Sequence, residues 1–210
     1  EEWIAGHQFR WLIIFGHYLG PLQFISRGLE RIYNITFRQF YDDIMQFCID
    51  DKHTVIGAEY NEIEKSLFKV LENKRFWGAV VPSAGDINWN VDEATCIKIA
   101  DGKKQIFYDE IEEFLLEKYP QIKPEVLDDL ILYQKSRLSD PTTLYPFAKS
   151  FKYNIHNVIE EQQQLSCNKT TILFEAKSYN SDMHNWAKEI LWFGRRVGKY
   201  KTNAKVMENL

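Results

Sequence analysis

Residues 3–21, WIAGHQFRWLIIFGHYLGP, decide the fold of this chain. Apolar side chains fill most of these positions, which is too dense for a helix with one face in solvent and too long for a typical strand. The stretch therefore predicts a helix that is enclosed by its neighbours. Gly20-Pro21 ends it, because glycine accepts a left-handed cap and proline cannot donate the next helical hydrogen bond.

Further helices are predicted downstream of this first one. Leu22 begins a second helix that reaches about Tyr33, and Thr36 is available to cap a third over residues 37–50, where apolar side chains recur at helical spacing. Near the C-terminus, a helix that begins at Ser181 or Asp182 is expected to have Trp186, Ile190 and Phe193 on one face. The remaining predicted helices cover residues 58–74, 108–119 and 124–138.

Short segments in the middle and near the C-terminus favour strands. Residues 75–82 are apolar and β-rich, and Asp101-Gly102 between two apolar runs is a hairpin signal. Residues 141–164 predict a loop followed by an extended segment, and residues 169–179 predict a strand. The expected fold class is α+β, predominantly α-helical, with a small sheet or hairpin from the middle and C-terminal strands, in a single domain over residues 1–210.

The composition of the chain limits the classes of binding partner and the cellular compartment that can be expected for it. The net charge of −4 argues against a general nucleic-acid binder, which needs a basic face to displace phosphate counterions. The three cysteines are far apart and form no CxxC or CxxxCxxC pattern, as suits a reducing compartment. No apolar run reaches the roughly 18 residues that span a bilayer. A cytoplasmic protein with no nucleic-acid or membrane partner is expected.

The first predicted helix carries a group of candidate binding residues, His7, Arg10 and His17. Their spacing puts them on overlapping helix faces, and a pair of imidazoles can bind metal or move protons. Helical metal ligands are usually three or four residues apart, however, and no local carboxylate completes a set. Structural roles are therefore favoured over metal binding, and no metal site is predicted.

The strongest candidate binding segment is WFGRRVGKYK, residues 192–201. Arg195, Arg196, Lys199 and Lys201 lie there beside aromatic residues and two glycines, so that an anion would find charge and close backbone approach. The alternative is a cationic helix C-terminus that the helix dipole stabilises. The sequence contains no GxGxxG, GxxxxGK[ST], GxSxG or HExxH motif, and the catalytic residues are unknown.

Three stretches together, residues 1–20, 124–141 and 186–201, resemble the region that follows the catalytic barrel in cobalamin-binding radical SAM proteins. The resemblance implies a C-terminal accessory domain that contacts substrate or partner and is catalytically incomplete alone. Its partners would be the upstream catalytic domains of the same polypeptide. Those domains would carry cobalamin and a [4Fe–4S] cluster with S-adenosylmethionine, whereas this segment holds no cofactor because the CxxxCxxC loop is missing.

On that interpretation Glu1 lies inside a longer polypeptide, which fits a chain that opens without a methionine. His7, Arg10 and His17 would face the barrel or the domain junction, and the aromatic residues, 15% of the chain, would cover the interface. Two alternatives stay open. The chain is either a freestanding, non-enzymatic helical module that binds a protein, or a small-molecule transferase that holds an anionic substrate at Arg195 and Arg196.

Overall fold

A computed structural model describes residues 2–72, 78–194 and 200–207. Helix α1 spans Glu2–Leu12 and continues as a π-helix over Ile13–Tyr18. Trp11 and Phe15 on this segment are almost completely enclosed, with exposed fractions of 2% and 0%. The predicted enclosure therefore holds for the C-terminal half of the helix, whereas Trp3 is 43% exposed and Gly6 and Arg10 are also exposed. The backbone turns at Gly20, whose φ of 107° is in the left-handed region that favours glycine.

The next three helices match their predicted positions closely. They are α2 (Gln23–Tyr33), α3 (Phe37–Asp50) and α4 (Val55–Leu71). Thr36 caps α3 as predicted, since its hydroxyl oxygen accepts a hydrogen bond from the Gln39 N–H at 3.2 Å. Thr54 caps α4 in the same way, which moves the start of that helix three residues ahead of the prediction.

The hairpin predicted at Asp101-Gly102 is wrong. The structure has α5 (Val91–Lys98), a short π-helical segment (Ile99–Lys103) and α6 (Lys104–Lys118), with Gly102 at φ 85° in a kink between the helices. The reason is the spacing of the buried side chains that follow, which is helical and not alternating. These buried residues of α6 are Phe107, Tyr108, Ile111 and Leu115. The middle hairpin lies upstream, where β1 (Ala79–Val80) pairs with β2 (Asn88–Trp89).

The C-terminal part combines α7 (Pro124–Arg137), α8 (Ile155–Glu161) and α9 (Met183–Trp186) with a three-stranded sheet. Helix α9 continues as a π-helix over Ala187–Trp192. The antiparallel sheet has the order β3-β4-β5, with Phe147 opposite Phe174 and Ile172 opposite Val206. The strands are β3 (Phe147–Phe151), β4 (Thr170–Glu175) and β5 (Asn203–Val206).

Two predictions fail in this part. The segment after β3, expected to be extended, contains α8, because Ile155, Val158 and Ile159 form a buried helical stripe. Phe193 is 67% exposed and does not share the buried face of Trp186 and Ile190, because the helix ends at Trp192 and Phe193 lies just beyond it.

One continuous hydrophobic cluster runs through the described elements from Ile4 to Tyr200. With 62% helix and two small antiparallel sheets, the predicted α+β, mainly helical class is confirmed. Among the helices of the described ranges, none is both long and apolar enough to cross a lipid bilayer.

Candidate functional site

Three positive side chains converge on one buried aromatic ring, that of Phe24, which is 1% exposed. The guanidinium carbons of Arg137 and Arg27 lie 4.4 Å and 5.9 Å from the ring centre, and Lys201 Nζ lies 6.0 Å from it. All three distances are within the range of cation–π attraction. We call these three residues, together with His17, on which the charges of Arg27 and Lys201 act, the cationic cluster.

The cluster is assembled by contacts between distant parts of the chain. The side chain of Gln134 in α7 accepts hydrogen bonds from the N–H groups of Phe24 at 2.8 Å and Ile25 at 3.3 Å, and donates to the Gly20 carbonyl at 2.9 Å. This buried amide holds the first turn of α2, and therefore Phe24, against α7. The Thr202 N–H donates to the Arg137 carbonyl at 2.8 Å, which keeps Lys201 beside the end of α7.

Arg137 is oriented by a polar network. Its Nη1 donates to the Tyr133 hydroxyl at 2.6 Å and to the Glu160 carboxylate. The same hydroxyl lies 2.9 Å from His156 Nδ1 and 3.2 Å from Glu160 Oε1. Burial is the largest single effect and would raise the pKa of Glu160, but the charge of Arg137 and the hydrogen bonds from Arg137 and Tyr133 together outweigh burial and lower the pKa. Glu160 is therefore ionised at neutral pH and fixes the guanidinium in place.

The rest of the cluster is electrostatically unbalanced. Within the part of the chain that the structure describes, neither Arg27 nor Lys201 has a carboxylate within 4 Å. Burial, then the charges of Arg27 and Lys201, lower the pKa of His17 from 6.5 to about 4. The pKa of Lys201 is lowered by burial first and by its two arginine neighbours next. The cations thus repel one another, and an anion bound between them would relieve that repulsion.

The cluster also contains polar atoms with unused hydrogen-bonding capacity. His17 Nδ1 and Arg137 Nε are buried, and neither has a hydrogen-bond partner among the described residues. Buried polar atoms are usually paired, and leaving one unpaired costs about 1–3 kcal/mol. The arginine Nε–H is a donor, and His17 Nδ1 is a donor in one of its two neutral tautomers. Both nitrogens have the chemistry to bind an anion.

The structure separates the other predicted residues of the first helix from the cluster. His7 stacks near Trp3, with ring centres 4.1 Å apart, and its Nδ1 lies 2.9 Å from the Trp3 carbonyl oxygen. Arg10 is exposed on α1. Ten residues of helix separate His7 from His17, a distance of roughly 15 Å along the axis, so the two imidazoles do not form a joint site.

The structure describes only part of the predicted basic segment, residues 192–201. Arg195, Arg196 and Lys199 lie outside the described residues, whereas Lys201 belongs to the cluster. Arg27 and Arg137 are members of the cluster that were not predicted from the sequence. Arg27 lies one helical turn after Phe24, a local clue to their contact, but the approach of Arg137 to the same ring depends on the packing of α7 against α2.

The resemblance implies an iron–sulfur cluster in the upstream domains, and the described ranges of this chain contain no set of ligands for one. No group of three or more His, Cys, Asp or Glu side chains there is arranged to hold a metal ion. Cys48 and Cys96 are buried, Cys167 is exposed, and burial raises the pKa of both enclosed thiols. Thiolates are the usual ligands of iron–sulfur clusters, and the described cysteines do not fit that role.

No protein-family model matches the chain, and no curated protein is significantly similar to it.

Proposed function

We propose that this domain binds an anionic group, a carboxylate or a phosphate, of a substrate or partner at the cationic cluster. The observation that carries the proposal is the convergence of Arg27, Arg137 and Lys201 on the Phe24 ring within 6.0 Å. Only one carboxylate, that of Glu160, is paired with these cations in the described chain. An excess of two positive charges suits a dianion, or a monoanion with further polar contacts.

The surroundings of the cationic cluster strengthen its attraction for an anion. His17, Arg27, Arg137 and Lys201 are all partly buried, and Phe24 closes one side of the cluster with apolar surface. Charges interact more strongly where water is partly excluded. An arginine offers a planar set of donors to carboxylate or phosphate oxygens, and a lysine adds a mobile point charge. Arg137 is held by Glu160 and Tyr133, which lowers the entropy that binding costs.

We further propose that the domain is the C-terminal, substrate- or partner-contacting part of a cobalamin-dependent radical SAM enzyme. A specific relationship supports this assignment: each of the three resembling stretches contributes one member of the cluster. His17 comes from residues 1–20, Arg137 from residues 124–141 and Lys201 from residues 186–201. The [4Fe–4S] cluster, S-adenosylmethionine and cobalamin are expected to bind in upstream domains of the same polypeptide.

Anion binding is tested by calorimetric titration of the 210-residue chain with inorganic phosphate and, separately, with malonate. We expect saturable binding that weakens about tenfold in Arg27→Gln and in Lys201→Gln, since each change removes a charged donor. Glu160→Gln should tighten binding, because it removes the negative charge that competes with the ligand while its amide oxygen can still accept a hydrogen bond from Arg137. The anion that binds with the higher affinity shows whether the natural ligand carries a phosphate or a carboxylate.

Arg10→Gln is the matched control, because it makes the same charge change at an exposed position of α1. Equal losses in Arg10→Gln and Arg27→Gln, or no saturable binding to the unmodified chain, would contradict the proposal. The enzyme class is tested separately by translating the coding DNA upstream of Glu1. A CxxxCxxC loop there supports the radical SAM assignment, and a start codon close to Glu1 without such a loop favours the freestanding module.

A further inference from the structure

A cleft of about 580 Å³ lies on the side of α7 that faces away from Arg137. Residues 132 and 135 project from the helix roughly opposite to residues 133 and 137, because successive residues are rotated by about 100°. Helix α6 and the segment that leads into β3 close the cleft. We call it the lysine cleft; its walls include Lys104, Lys135, Lys149, Leu132, Leu144 and Phe147.

The charge of the lysine cleft is one-sided. Among the described residues, its walls carry three lysines and no aspartate or glutamate. Lys104 Nζ is paired with Asp140 at 2.6 Å, whereas Lys135 Nζ donates to the neutral Gln105 side chain at 2.6 Å. Lys149 has no carboxylate within 4 Å in the described ranges. Two ammonium groups are therefore left without a direct counter-charge.

Acidic groups near the lysine cleft act on Lys135 without forming an ion pair with it among the described residues. Asp109 and Glu112 on α6 raise the pKa of Lys135 through their charges, but burial has the larger effect and the pKa is lowered. Asp109 accepts a hydrogen bond from Gln105 Nε2 at 2.6 Å and does not line the cleft. An anion inside the cleft would complete the coordination of Lys135 and Lys149.

The remaining wall is apolar and partly open to solvent. Leu144 is 66% exposed, and Leu132 and Phe147 are half-buried. Asp140 accepts from the N–H groups of Thr142 at 3.0 Å and Thr143 at 2.8 Å, which holds the turn that leads to Leu144. The volume lies in the usual range of small-molecule sites, about 300–1,000 Å³. The cleft thus combines a fixed apolar wall with two available cations.

From this combination we infer that the lysine cleft binds an amphipathic anion, an apolar chain or ring that ends in a carboxylate or a phosphate. The apolar part covers Leu132, Leu144 and Phe147, and the anionic end contacts Lys135 and Lys149. This inference is independent of the proposed function, since the two sites share no residue. A fully polar anion would leave the apolar wall in water, and an uncharged apolar ligand would leave the lysines without a counter-charge.

The test uses decanoate, decyl phosphate and decyltrimethylammonium as probes in calorimetric titrations of the 210-residue chain. We expect decanoate or decyl phosphate to bind saturably and the cationic probe not to bind; the tighter anion identifies the head group. The double variant Lys135→Gln/Lys149→Gln should weaken anion binding by about tenfold or more. Lys52→Gln/Lys169→Gln, the same charge change at two exposed positions, should leave it unchanged.

Three outcomes would overturn the inference. The first is equal affinity for the cationic probe, which would mean that the apolar chain alone binds. The second is an equal loss in the control double variant, which would reflect net charge and not a site. The third is a loss in Arg27→Gln as large as in Lys135→Gln/Lys149→Gln; the head group would then lie in the cationic cluster, and the proposed function would stand while this inference failed.

Discussion

The guanidinium carbon of Arg137, the last residue of α7, lies 4.4 Å from the centre of the Phe24 ring in the first turn of α2. The ring offers attraction to the cation but no hydrogen-bond acceptor of ordinary strength. The Nε of Arg137 is consequently left without a partner among the described residues, although Nη1 is paired with Glu160. This arrangement leaves the Nε–H of Arg137 without an acceptor among the described residues, while Nη1 is fixed by Glu160 and Tyr133.

The titration of His17 reports on its cationic neighbours. Its pKa of about 4 results from burial first and from the charges of Arg27 and Lys201 next. We expect Arg27→Gln to raise this pKa toward 6.5, and a bound anion to raise it as well, because both changes reduce the positive potential at the ring. Proton NMR of the imidazole across pH 3–8 measures it, and an unchanged pKa in Arg27→Gln would contradict the proximity of the two charges.

The same group makes stability depend on pH. His17 in the unfolded chain titrates near 6.5 and in the folded chain near 4, so the unfolded state binds more protons between these values. The contribution of neutral His17 to the free energy of unfolding is present above pH 6.5 and is lost as pH falls toward 4. Urea unfolding should show a steeper loss in the unmodified chain than in His17→Gln. The exposed His53→Gln is the control and should keep the steep loss.

Gln134 is expected to contribute more to the free energy of unfolding than most polar residues do. Gln134→Leu preserves the approximate size but leaves the N–H groups of Phe24 and Ile25 and the Gly20 carbonyl without their side-chain partner. Buried groups that lose their partners cost about 1–3 kcal/mol each, and we expect a decrease of about 3 kcal/mol in the free energy of unfolding. Gln121→Leu, at an exposed position, should change it by less than about 0.5 kcal/mol.

Two helical glycines should respond to alanine with opposite signs. A Cβ at Gly28 in α2 would overlap the Leu130 side chain of α7, which is 0% exposed. A Cβ at Gly6 in α1 would meet no atom within 4 Å. Overpacking costs about 1–3 kcal/mol, whereas alanine is favoured over glycine in a free helical position by about 1 kcal/mol.

Gly28→Ala is therefore expected to destabilise the fold and Gly6→Ala to stabilise it by about 0.5–1 kcal/mol. Thermal and urea unfolding of both variants compare them directly. A stabilised Gly28→Ala protein would mean that α2 and α7 are not in close contact at this position.

Asp140 should stabilise the turn beside the lysine cleft. Burial would raise its pKa, but the Lys104 charge and several hydrogen bonds outweigh burial and lower it from 3.8 to about 2. Asp140→Ala leaves Lys104 and two backbone N–H groups without their acceptor, and we expect a cost of about 3 kcal/mol at pH 7.

The pH dependence gives the Asp140 prediction a second test. A carboxylate with a lowered pKa stabilises the fold above pH 3.8, and the contribution is lost as pH falls toward 2. The difference between the unmodified chain and Asp140→Ala should therefore shrink over that window. Asp86→Ala, an exposed control, should show no such difference at either pH.

The sequence by itself determined the helical class, the enclosure of the C-terminal half of the first helix and the Thr36 cap, because these depend on neighbouring residues and on helical spacing. It also placed His17 and Lys201 among residues suited to an anion. It did not distinguish the Asp101-Gly102 kink from a hairpin turn, since Gly102 at positive φ suits both.

Only the tertiary structure decided which charges share one site. Arg137 and Phe24 are more than 100 residues apart in the chain, and no local pattern connects them. Their contact follows from the packing of α2 on α7, which requires the small Gly28 beside Leu130 and the buried amide of Gln134. Because like charges repel, the convergence of Arg27, Arg137 and Lys201 is imposed by this packing and not by attraction among the residues themselves.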